Sequence, residues 1–564
     1  SFIGHHLIGM HATPSAGSSQ PIDLRASIYG RNLDQLDNWH GTLYAKLEGT
    51  DISAWSNWIP YPFDLREGYG AARFWLNFAK GRVQSVTSDV ILSNVVTRLS
   101  KTSAEARLNN LSGRLKWTLF SDGHEVNAER IKLSTPDGLD MHNGKIRLRN
   151  RTANGKESVE GNVELDEIRL ESLNTLATYL PIEAQALKKL TEIAPVGKLE
   201  QLQLSWKGDQ PLPQEYSLRC RFAGLGMQTY QGIPGFTNLS GSIDADEKNG
   251  TLTIDAHQTM LDLKHVMRQP IPVDGLTGQV KWQRSKDKTE VRVSNLAIAN
   301  AHMAGTINAT YQATGVKGGY LDLTGKFGKI DAKFARYYYP TILGEKTLHW
   351  LDTSILAGRG EDVNLIIKGY LDEFPYADNK KGLFKVAAKI SDGVLDYGDG
   401  WPRIDGLNLD MLFQGDRMEL NANQGHIMGN QITKSRAVIP VLDADHPMLE
   451  VISDAQGPVS EGIRFVNNSP VAETIDHFTD GMKADGNGKL HLELRIPLDD
   501  VDATKAKGVY EVTNGIIPSN STLPELSRIN GKLEFTESSL RAQNVAALIY
   551  GDPLTFNMET GKDG

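Results

Sequence analysis

The sequence predicts a mainly β fold built from many antiparallel strands. Alternating apolar and polar residues recur along the chain, as in "GKLHLELRIPL" at 488–498, "QLQLSW" at 201–206 and "LNLDMLF" at 407–413. Because successive side chains of a strand point to opposite faces of a sheet, each run has one apolar and one polar face. Turn signals such as "EKNG", "SDG", "ANG" and "GDG" separate the runs, and the chain contains 54 glycines. This punctuation predicts strands joined by tight hairpins.

Short amphipathic helices are predicted at three places, in the segments that follow Pro181, Pro340 and Pro470. Apolar residues recur there at helical spacing, which is typical of a helix with one buried face. The three stripes consist of Leu187, Leu190 and Ile193; of Leu348, Leu351 and Ile355; and of Val471, Ile475, Phe478 and Met482. A proline near the start and a glycine after the end of each segment are ordinary helix boundary signals.

The helix-to-strand junctions divide the chain into four predicted units. Residues 1–170 form a strand-only unit, and residues 171–319, 320–469 and 470–564 each begin with a helix that leads into strands. A second phrase recurs at strand starts, in "FTNLSGSIDA", "VDGLTGQVKW", "RIDGLNLDMLF" and "SRINGKLEF". These repeats are longer and less even than the ~20–50-residue repeats of solenoid proteins. We interpret the units as coarse repeats within one continuous sheet.

Composition excludes several classes of protein. Hydrophobic residues make up 40% and charged residues 23% of the 564 residues, as in a folded, water-soluble protein. The net charge of -9 argues against nucleic acid as a partner and against electrostatic docking on anionic lipid. A single cysteine, Cys220, allows neither an internal disulfide nor a cysteine metal cluster.

No pattern for catalysis, metal binding or cofactor binding emerges. The 14 histidines form no zinc-binding motif, and the adjacent His5 and His6 diverge if they lie on a strand. "DADEKNG" at 244–250 resembles a calcium loop only weakly, and a hairpin turn is favoured. "GYG" at 68 and "GRG" at 358 lack the further residues of a phosphate-binding loop. We therefore predict no catalytic residue, no metal and no cofactor, and a protein that is not an enzyme.

Two aromatic clusters permit two interpretations each. "ARYYYPTILGEKTLHWLD", which includes Tyr337 and Trp350, and "WSNWIPYPF" at 55–63 can stack on sugars or lie at a lipid headgroup boundary. Core packing of a helix is the favoured alternative for both clusters.

The apolar faces of the strands are the candidate binding surface, because the predicted helices are too few and too short to cover so many strands. For each residue the alternative is packing against a helix or a second sheet. The candidate lining consists of Phe74, Leu76, Phe78, Leu202, Leu204, Trp206, Val363, Leu365, Ile367, Leu407, Leu409, Met411, Phe413, Leu490, Leu492, Leu494, Ile496, Leu533 and Phe535.

The second half of the chain resembles a known family. The run from "ARYYYPTILGEKTLHWLDTSILAGRGEDVNLIIKGYLDEFPY" through "ELSRINGKLEFTESSLRAQNVAALIYGDPL" is similar to the central region of large AsmA-like proteins of the Gram-negative envelope. The similarity is close over residues 320–564, and "AKLEGTDISAWSNWI" extends it upstream.

This resemblance implies a long, twisted and curved antiparallel sheet that forms an elongated open groove, as in bridge-like lipid transfer proteins. It also implies a periplasmic segment of a parent protein anchored in the inner membrane. Such a segment would conduct phospholipids between the inner and outer membranes by holding their acyl chains, without a chemical reaction. Contacts with the two membranes are expected from parts of the parent protein outside this chain, which lacks an initiator Met and a run of ~18 apolar residues.

Two alternatives remain open from the residues alone. A non-conducting β-rich scaffold or protein-binding module of the envelope explains the lack of catalytic motifs equally well. A carbohydrate-active enzyme ranks last, because nothing in the sequence selects a carboxylate pair.

Overall fold

The computed structural model describes residues 4–13, 20–31, 36–57, 64–98, 103–153, 156–179, 184–208, 214–231, 233–264, 266–286, 288–313, 315, 318–377, 380–519 and 524–560. These residues contain 28 strands that belong to one antiparallel sheet, together with a few short helices. The prediction of a mainly β fold with short helices is confirmed.

The first fourteen strands are long, and most of them contain ten residues or more. They are β1 His5–Ala12, β2 Ile22–Tyr29, β3 His40–Asp51, β4 Asp64–Ala79, β5 Arg82–Arg98, β6 Ala106–Phe120, β7 Gly123–Ser134, β8 Asp140–Ala153, β9 Lys156–Arg169, β10 Val196–Gly208, β11 Glu215–Met227, β12 Gly235–Asp246, β13 Asn249–Asp262 and β14 Ile271–Arg284.

The second fourteen strands have similar lengths. They are β15 Thr289–Ala299, β16 Met303–Ala313, β17 Tyr320–Asp331, β18 Ile355–Tyr370, β19 Gly382–Leu395, β20 Ile404–Gln414, β21 Arg417–Ile427, β22 Asn430–Ile439, β23 Met448–Pro458, β24 Asp485–Pro497, β25 Lys505–Ile517, β26 Leu526–Thr536, β27 Leu540–Ile549 and β28 Asp552–Glu559.

The chain divides into two compact units. The N-terminal unit comprises Ser1–Lys264 and Leu276–Ser285, and the C-terminal unit comprises His265–Gly275 and Lys286–Gly564. Within the N-terminal unit, each strand from β1 to β12 pairs antiparallel with the strand that follows it in the chain. Within the C-terminal unit, the same holds from β15 to β27. Both units are therefore meanders of nearest-neighbour strands.

Five α-helices occur in the described residues: α1 Glu171–Tyr179, α2 Ala184–Ile193, α3 Glu345–Ser354, α4 Val459–Asn467 and α5 Val471–Thr474. The predicted helices after Pro181 and Pro340 correspond to α2 and α3. The helix predicted over 471–482 is wrong beyond Thr474, because the chain turns there and the Phe478 side chain is 70% exposed. No helix in the described part of the chain is long and apolar enough to cross a membrane.

A recurrent β-bulge bends many strands. In the C-terminal unit, residues with positive φ break the register of β15 at Asn295, of β19 at Asp392, of β25 at Asn514 and of β27 at Asn544. The backbone N–H of each bulge residue donates to the side-chain oxygen of an asparagine on the next strand, at 2.7 to 3.0 Å. These asparagines are Asn308, Asn408, Asn530 and Asn557. Bulges bend a strand and increase its twist, so the repeated bulge curves the sheet.

Fully buried apolar residues form small separate clusters. In the N-terminal unit, Met141, Leu165, Leu202 and Cys220 belong to one cluster, against which Leu176 of α1 packs. In the C-terminal unit, Phe327, Val363 and Ala388 form a smaller one. Further clusters surround Ile52 and Val545.

Candidate functional site

The register of β23 to β26 aligns the apolar side chains of these strands on one face. Residues that are directly paired in an antiparallel sheet point to the same side. Leu494 pairs with Val451 and Ala506, and Leu492 pairs with Ser453 and Gly508. Gly508 in turn pairs with Phe535. The predicted residues of β24 and β26 therefore share a face.

The same face continues through the other strands of the C-terminal unit. Leu365 of β18 pairs with Gly325 of β17 and Val386 of β19, and Val386 pairs with Phe413 of β20. A row of directly paired residues then crosses seven strands. It consists of Ala388, Met411, Leu420, Ala437, Val451, Leu494 and Ala506. The pairing thus brings the predicted residues of β18, β20, β24 and β26 onto a single surface, which we call the C-terminal apolar face.

The N-terminal unit has an equivalent surface, the N-terminal apolar face. Phe74 of β4 pairs with Ala45 and Ser88, and Leu204 of β10 pairs with Val163 and Leu218. A row of directly paired residues joins these strands. It consists of Ala45, Phe74, Ser88, Leu115, Ala128, Ile146, Val163, Leu204, Leu218, Ala245 and Gly250.

The opposite side of the sheet is charged and exposed. On β24, the His491 Nδ1 atom lies 2.7 Å from a carboxylate oxygen of Asp454, and this hydrogen bond raises the pKa of His491. Glu419 of β21 accepts hydrogen bonds from Arg436, Asn421 and Arg417, at 3.0 to 3.2 Å. These donors, Arg436 foremost, lower the pKa of Glu419 to about 2. The sheet therefore has one solvated and one apolar side.

Most of the candidate lining residues are only half-buried. Leu202, Val363 and Leu407 are buried, with at most 9% of their surface exposed. The other candidate residues are of intermediate exposure. A leucine in the core of a closed domain is usually fully buried. The structure thus divides the predicted set into a small buried group and a larger, partly open group.

Little polypeptide covers the partly open group. The described strands all belong to one sheet, and those from β15 to β28 make their main contacts with the strands before and after them. Helix α1 contacts β9, α3 contacts β18, and α4 contacts β23 and β24. Helix α4 was missed by the sequence reasoning, although Val459, Ile463 and Val466 have helical spacing.

Most side chains of the aromatic cluster around Tyr337 pack against neighbouring protein side chains. The Phe334 ring stacks on His302 at 3.9 Å, and Asn300 donates a hydrogen bond of 3.0 Å to the Tyr338 hydroxyl. Burial raises the pKa of Tyr339 to about 12. Trp350 is 45% exposed and donates through Nε1 to the Tyr397 carbonyl. The side chains of "WSNWIPYPF" lie outside the described residues.

The other sequence motifs have structural roles. "DADEKNG" forms the β12–β13 hairpin, where the Asp246 carboxylate accepts from the backbone N–H groups of Lys248 and Asn249. The glycines of "GYG" lie within β4 and those of "GRG" within β18. His5 bonds to Ser27, and His6 lies on the same strand. The described residues contain no group of His, Cys, Asp or Glu side chains that could hold a metal ion.

Comparison with known proteins assigns the family. The family model described as YhdP protein matches residues 3–564. The chain belongs to the YhdP family. It is 22% identical over 547 residues to a protein of Escherichia coli (strain K12) described as "Intermembrane phospholipid transporter YhdP". That alignment covers 93% of this chain and 41% of the relative, so the chain spans less than half of the relative's length. No solved structure matches the chain.

Membership of the YhdP family confirms the AsmA-like resemblance inferred from the sequence. The relative is described as a transporter, which fits a role without catalysis.

Proposed function

We propose that the two apolar faces bind the acyl chains of phospholipids and conduct phospholipids between the inner and outer membranes, without a chemical reaction. The observation that carries this proposal is the pair of largely apolar rows, many of whose side chains are half-buried, that cross strand after strand, together with the charged opposite face of the C-terminal unit. The description of the Escherichia coli relative as an intermembrane phospholipid transporter supports it.

The energetics of acyl chains explain why such a surface is sufficient. Exposing a chain of about sixteen carbons to water costs on the order of 13 kcal/mol, at ~0.8 kcal/mol per CH₂ group. A conduit therefore needs apolar side chains along its whole length. Because acyl chains make no hydrogen bonds, it needs no fixed polar site.

We further propose that this segment works in the periplasm and that its parent protein is anchored in the inner membrane. The description of the relative as an intermembrane transporter and the charged, exposed side of the sheet support this location. Contacts with the membranes are assigned to parts of the parent protein outside this chain.

The substitution Leu492→Asp tests the proposal. A carboxylate on the C-terminal apolar face should lower the amount of phospholipid that copurifies with the chain, because a buried charge without a partner is unfavourable beside acyl chains. The fold should survive, since Leu492 is only half-buried. Native mass spectrometry of the purified chain measures the bound phospholipid, and circular dichroism checks the fold.

Ile452→Asp is the matched control. Ile452 lies on the neighbouring strand β23, is 47% exposed and pairs with Glu493 on the charged side of the sheet. This variant should retain its phospholipid. A wild-type chain that is stable, monodisperse and free of lipid would contradict the proposal and favour the scaffold alternative. Unfolding of Leu492→Asp alone would show that this residue belongs to a closed core.

A further inference from the structure

A small cavity lies in the C-terminal unit, where β17 ends and β18 begins. It is lined by the 3₁₀-helix Ala332–Tyr337, by α3 and by the first residues of β18. Its volume is about 150 Å³. A cavity of this size holds a group as large as a benzene ring. It is therefore too small for the acyl chains of a lipid but large enough for one fragment of a headgroup.

Two cationic side chains line this cavity from the same helix. Lys333 and Arg336 are three residues apart in the 3₁₀-helix, whose three-residue turn places such side chains above one another. The Asp331 carboxylate caps the helix by accepting a hydrogen bond of 3.0 Å from the backbone N–H of Lys333. Both cationic residues are exposed, and neither forms an ion pair within the described part of the chain. Their charges are therefore available to a ligand.

A buried hydroxyl without a partner belongs to the same cavity. Tyr339 lines it, and the hydroxyl oxygen of this residue is buried with no hydrogen-bond partner among the described residues. Most buried polar atoms in proteins have a partner, so an orphaned one needs an explanation. Burial raises the pKa of Tyr339 to about 12, so the hydroxyl keeps its proton and can donate a hydrogen bond.

The carboxylate of Asp352, which also lines the cavity, is already neutralised. Its two oxygens accept hydrogen bonds of 3.0 and 2.9 Å from the Arg268 guanidinium. The unpaired charges of the lining are therefore those of Lys333 and Arg336, which favour an anion over a cation. The remaining lining, which includes Leu351, is apolar. This combination fits an anionic group attached to an apolar remainder.

A phosphate group has the properties that this cavity requires. Arginine and lysine bind phosphate oxygens through charge-assisted hydrogen bonds, which are stronger than neutral ones. A phosphate presents several acceptor oxygens, enough for two cations and one hydroxyl donor. A phosphorus atom with its oxygens also fits the volume of the cavity.

We infer that this cavity binds a phosphate group and that the group is the headgroup phosphate of a phospholipid. The inference rests on the proposed function and adds a headgroup contact that acyl-chain binding does not require. Lys333 and Arg336 neutralise the phosphate, and the Tyr339 hydroxyl donates a hydrogen bond to it. Leu351 and Ile355 contact the carbon atoms next to the phosphate. A phospholipid is thereby held at a defined position in the C-terminal unit.

Native mass spectrometry of the lipid-free 564-residue chain tests the inference. The chain receives an equimolar mixture of dioleoyl phosphatidic acid and dioleoylglycerol in detergent micelles, at less than one lipid per chain. The two lipids differ only in the phosphate. The wild type should bind more phosphatidic acid than dioleoylglycerol. Lys333→Ala/Arg336→Ala should lower this ratio by about tenfold, because hydrogen bonds to a charged group are lost.

Lys326→Ala/Lys329→Ala is the matched control. These two lysines of β17 are exposed and lie outside the lining of the cavity, and their removal changes the net charge by the same amount. The control should keep the wild-type lipid ratio. An equal fall in the ratio for both double variants would refute the inference, because it would show a general effect of charge.

Tyr339→Phe removes the hydroxyl alone. This variant should lower the ratio of phosphatidic acid to dioleoylglycerol without lowering the urea midpoint of the lipid-free chain, since the hydroxyl has no partner among the described residues. A lower midpoint with an unchanged lipid ratio would assign the hydroxyl to stability and refute its role in binding. If Lys333→Ala/Arg336→Ala does not fold, the lipid ratio of Tyr339→Phe decides.

Isothermal titration calorimetry with inorganic phosphate distinguishes the two sources of the group. If the wild type binds inorganic phosphate, Lys333→Ala/Arg336→Ala does not, and both have the same lipid ratio, the cavity takes free phosphate and the headgroup assignment is overturned. A wild-type chain that binds neither lipid refutes the proposed function and the inference with it. A wild-type chain that binds both lipids equally refutes the inference alone.

Discussion

Leu407 and Leu494 lie on the same apolar face of the C-terminal unit but in different surroundings. Leu407 lies beside the bulge at Asp392, where it pairs with Gly393, and it is only 9% exposed. Leu494 lies in the regular part of β24, between Val451 and Ala506, and is half-buried. The apolar surface is therefore closed at Leu407, beside the bulge, whereas it stays partly open at Leu494, where the pairing of β24 is regular.

The largest expected effect is the difference between Leu407→Ala and Leu494→Ala. Removing a fully buried leucine costs its transfer free energy and leaves a cavity, so Leu407→Ala should lower the free energy of unfolding by about 3 kcal/mol. Leu494 is partly open, so Leu494→Ala should cost about 1 kcal/mol. Urea denaturation of the lipid-free variants measures both values. Equal losses in the free energy of unfolding would mean that Leu407 and Leu494 are equally buried, which would contradict the comparison.

A smaller effect is expected at the asparagines that hold the bulges. Asn530→Ala removes the acceptor for the backbone N–H of Asn514 and should destabilise the chain by about 1 kcal/mol. Asn487→Ala serves as control, since Asn487 is an exposed strand residue of β24. If Asn530→Ala is as stable as the wild type and the Asn487→Ala control, the hydrogen bond to Asn530 does not stabilise the bulge.

The smallest effect concerns the charged side of the sheet. The pKa of Glu419 falls to about 2 on folding because Arg436, Asn421 and Arg417 stabilise its carboxylate. A lowered pKa stabilises the fold above the unfolded value of about 4.3. That contribution should disappear as the pH falls from about 4 towards 2. Urea midpoints of wild type and Glu419→Gln should therefore differ at pH 6 and converge near pH 2, and a constant difference would contradict this assignment.

Much of the sheet could be predicted from the sequence because alternation reports directly on strands. Leu490, Leu492 and Leu494 lie on one face as the pattern predicts. The bulges could not be predicted, because their positive-φ positions hold residues as different as Asn514, Asp392 and Arg528. The sequence feature that best marks a bulge is an asparagine near the start of the next strand, as in "SRINGKLEF". There the side-chain oxygen of Asn530 accepts a hydrogen bond from the backbone N–H of Asn514 on the preceding strand.

Alternation alone also cannot show which apolar side chains are covered. Leu407 and Leu409 belong to one predicted run, yet Leu407 is buried and Leu409 is half-buried. Leu407 lies beside the bulge at Asp392, and the alternation of its own run does not reveal that bulge on the neighbouring strand. The helix predicted over 471–482 failed beyond Thr474 because apolar residues at helical spacing also occur in turns, and Phe478 lies in such a turn with 70% of its side chain exposed.

The nearest-neighbour pairing of the strands has a consequence for how the chain gains and loses structure. Because each strand depends on two partners adjacent in sequence, damage at one hairpin is felt mainly by its neighbours, as in repeat proteins. In such a meander, no single long-range contact has to form before the other strand pairs can form. Hairpins can be inserted or deleted during evolution without changing how the remaining strands pair. Families with this topology can therefore vary in length while keeping the same fold.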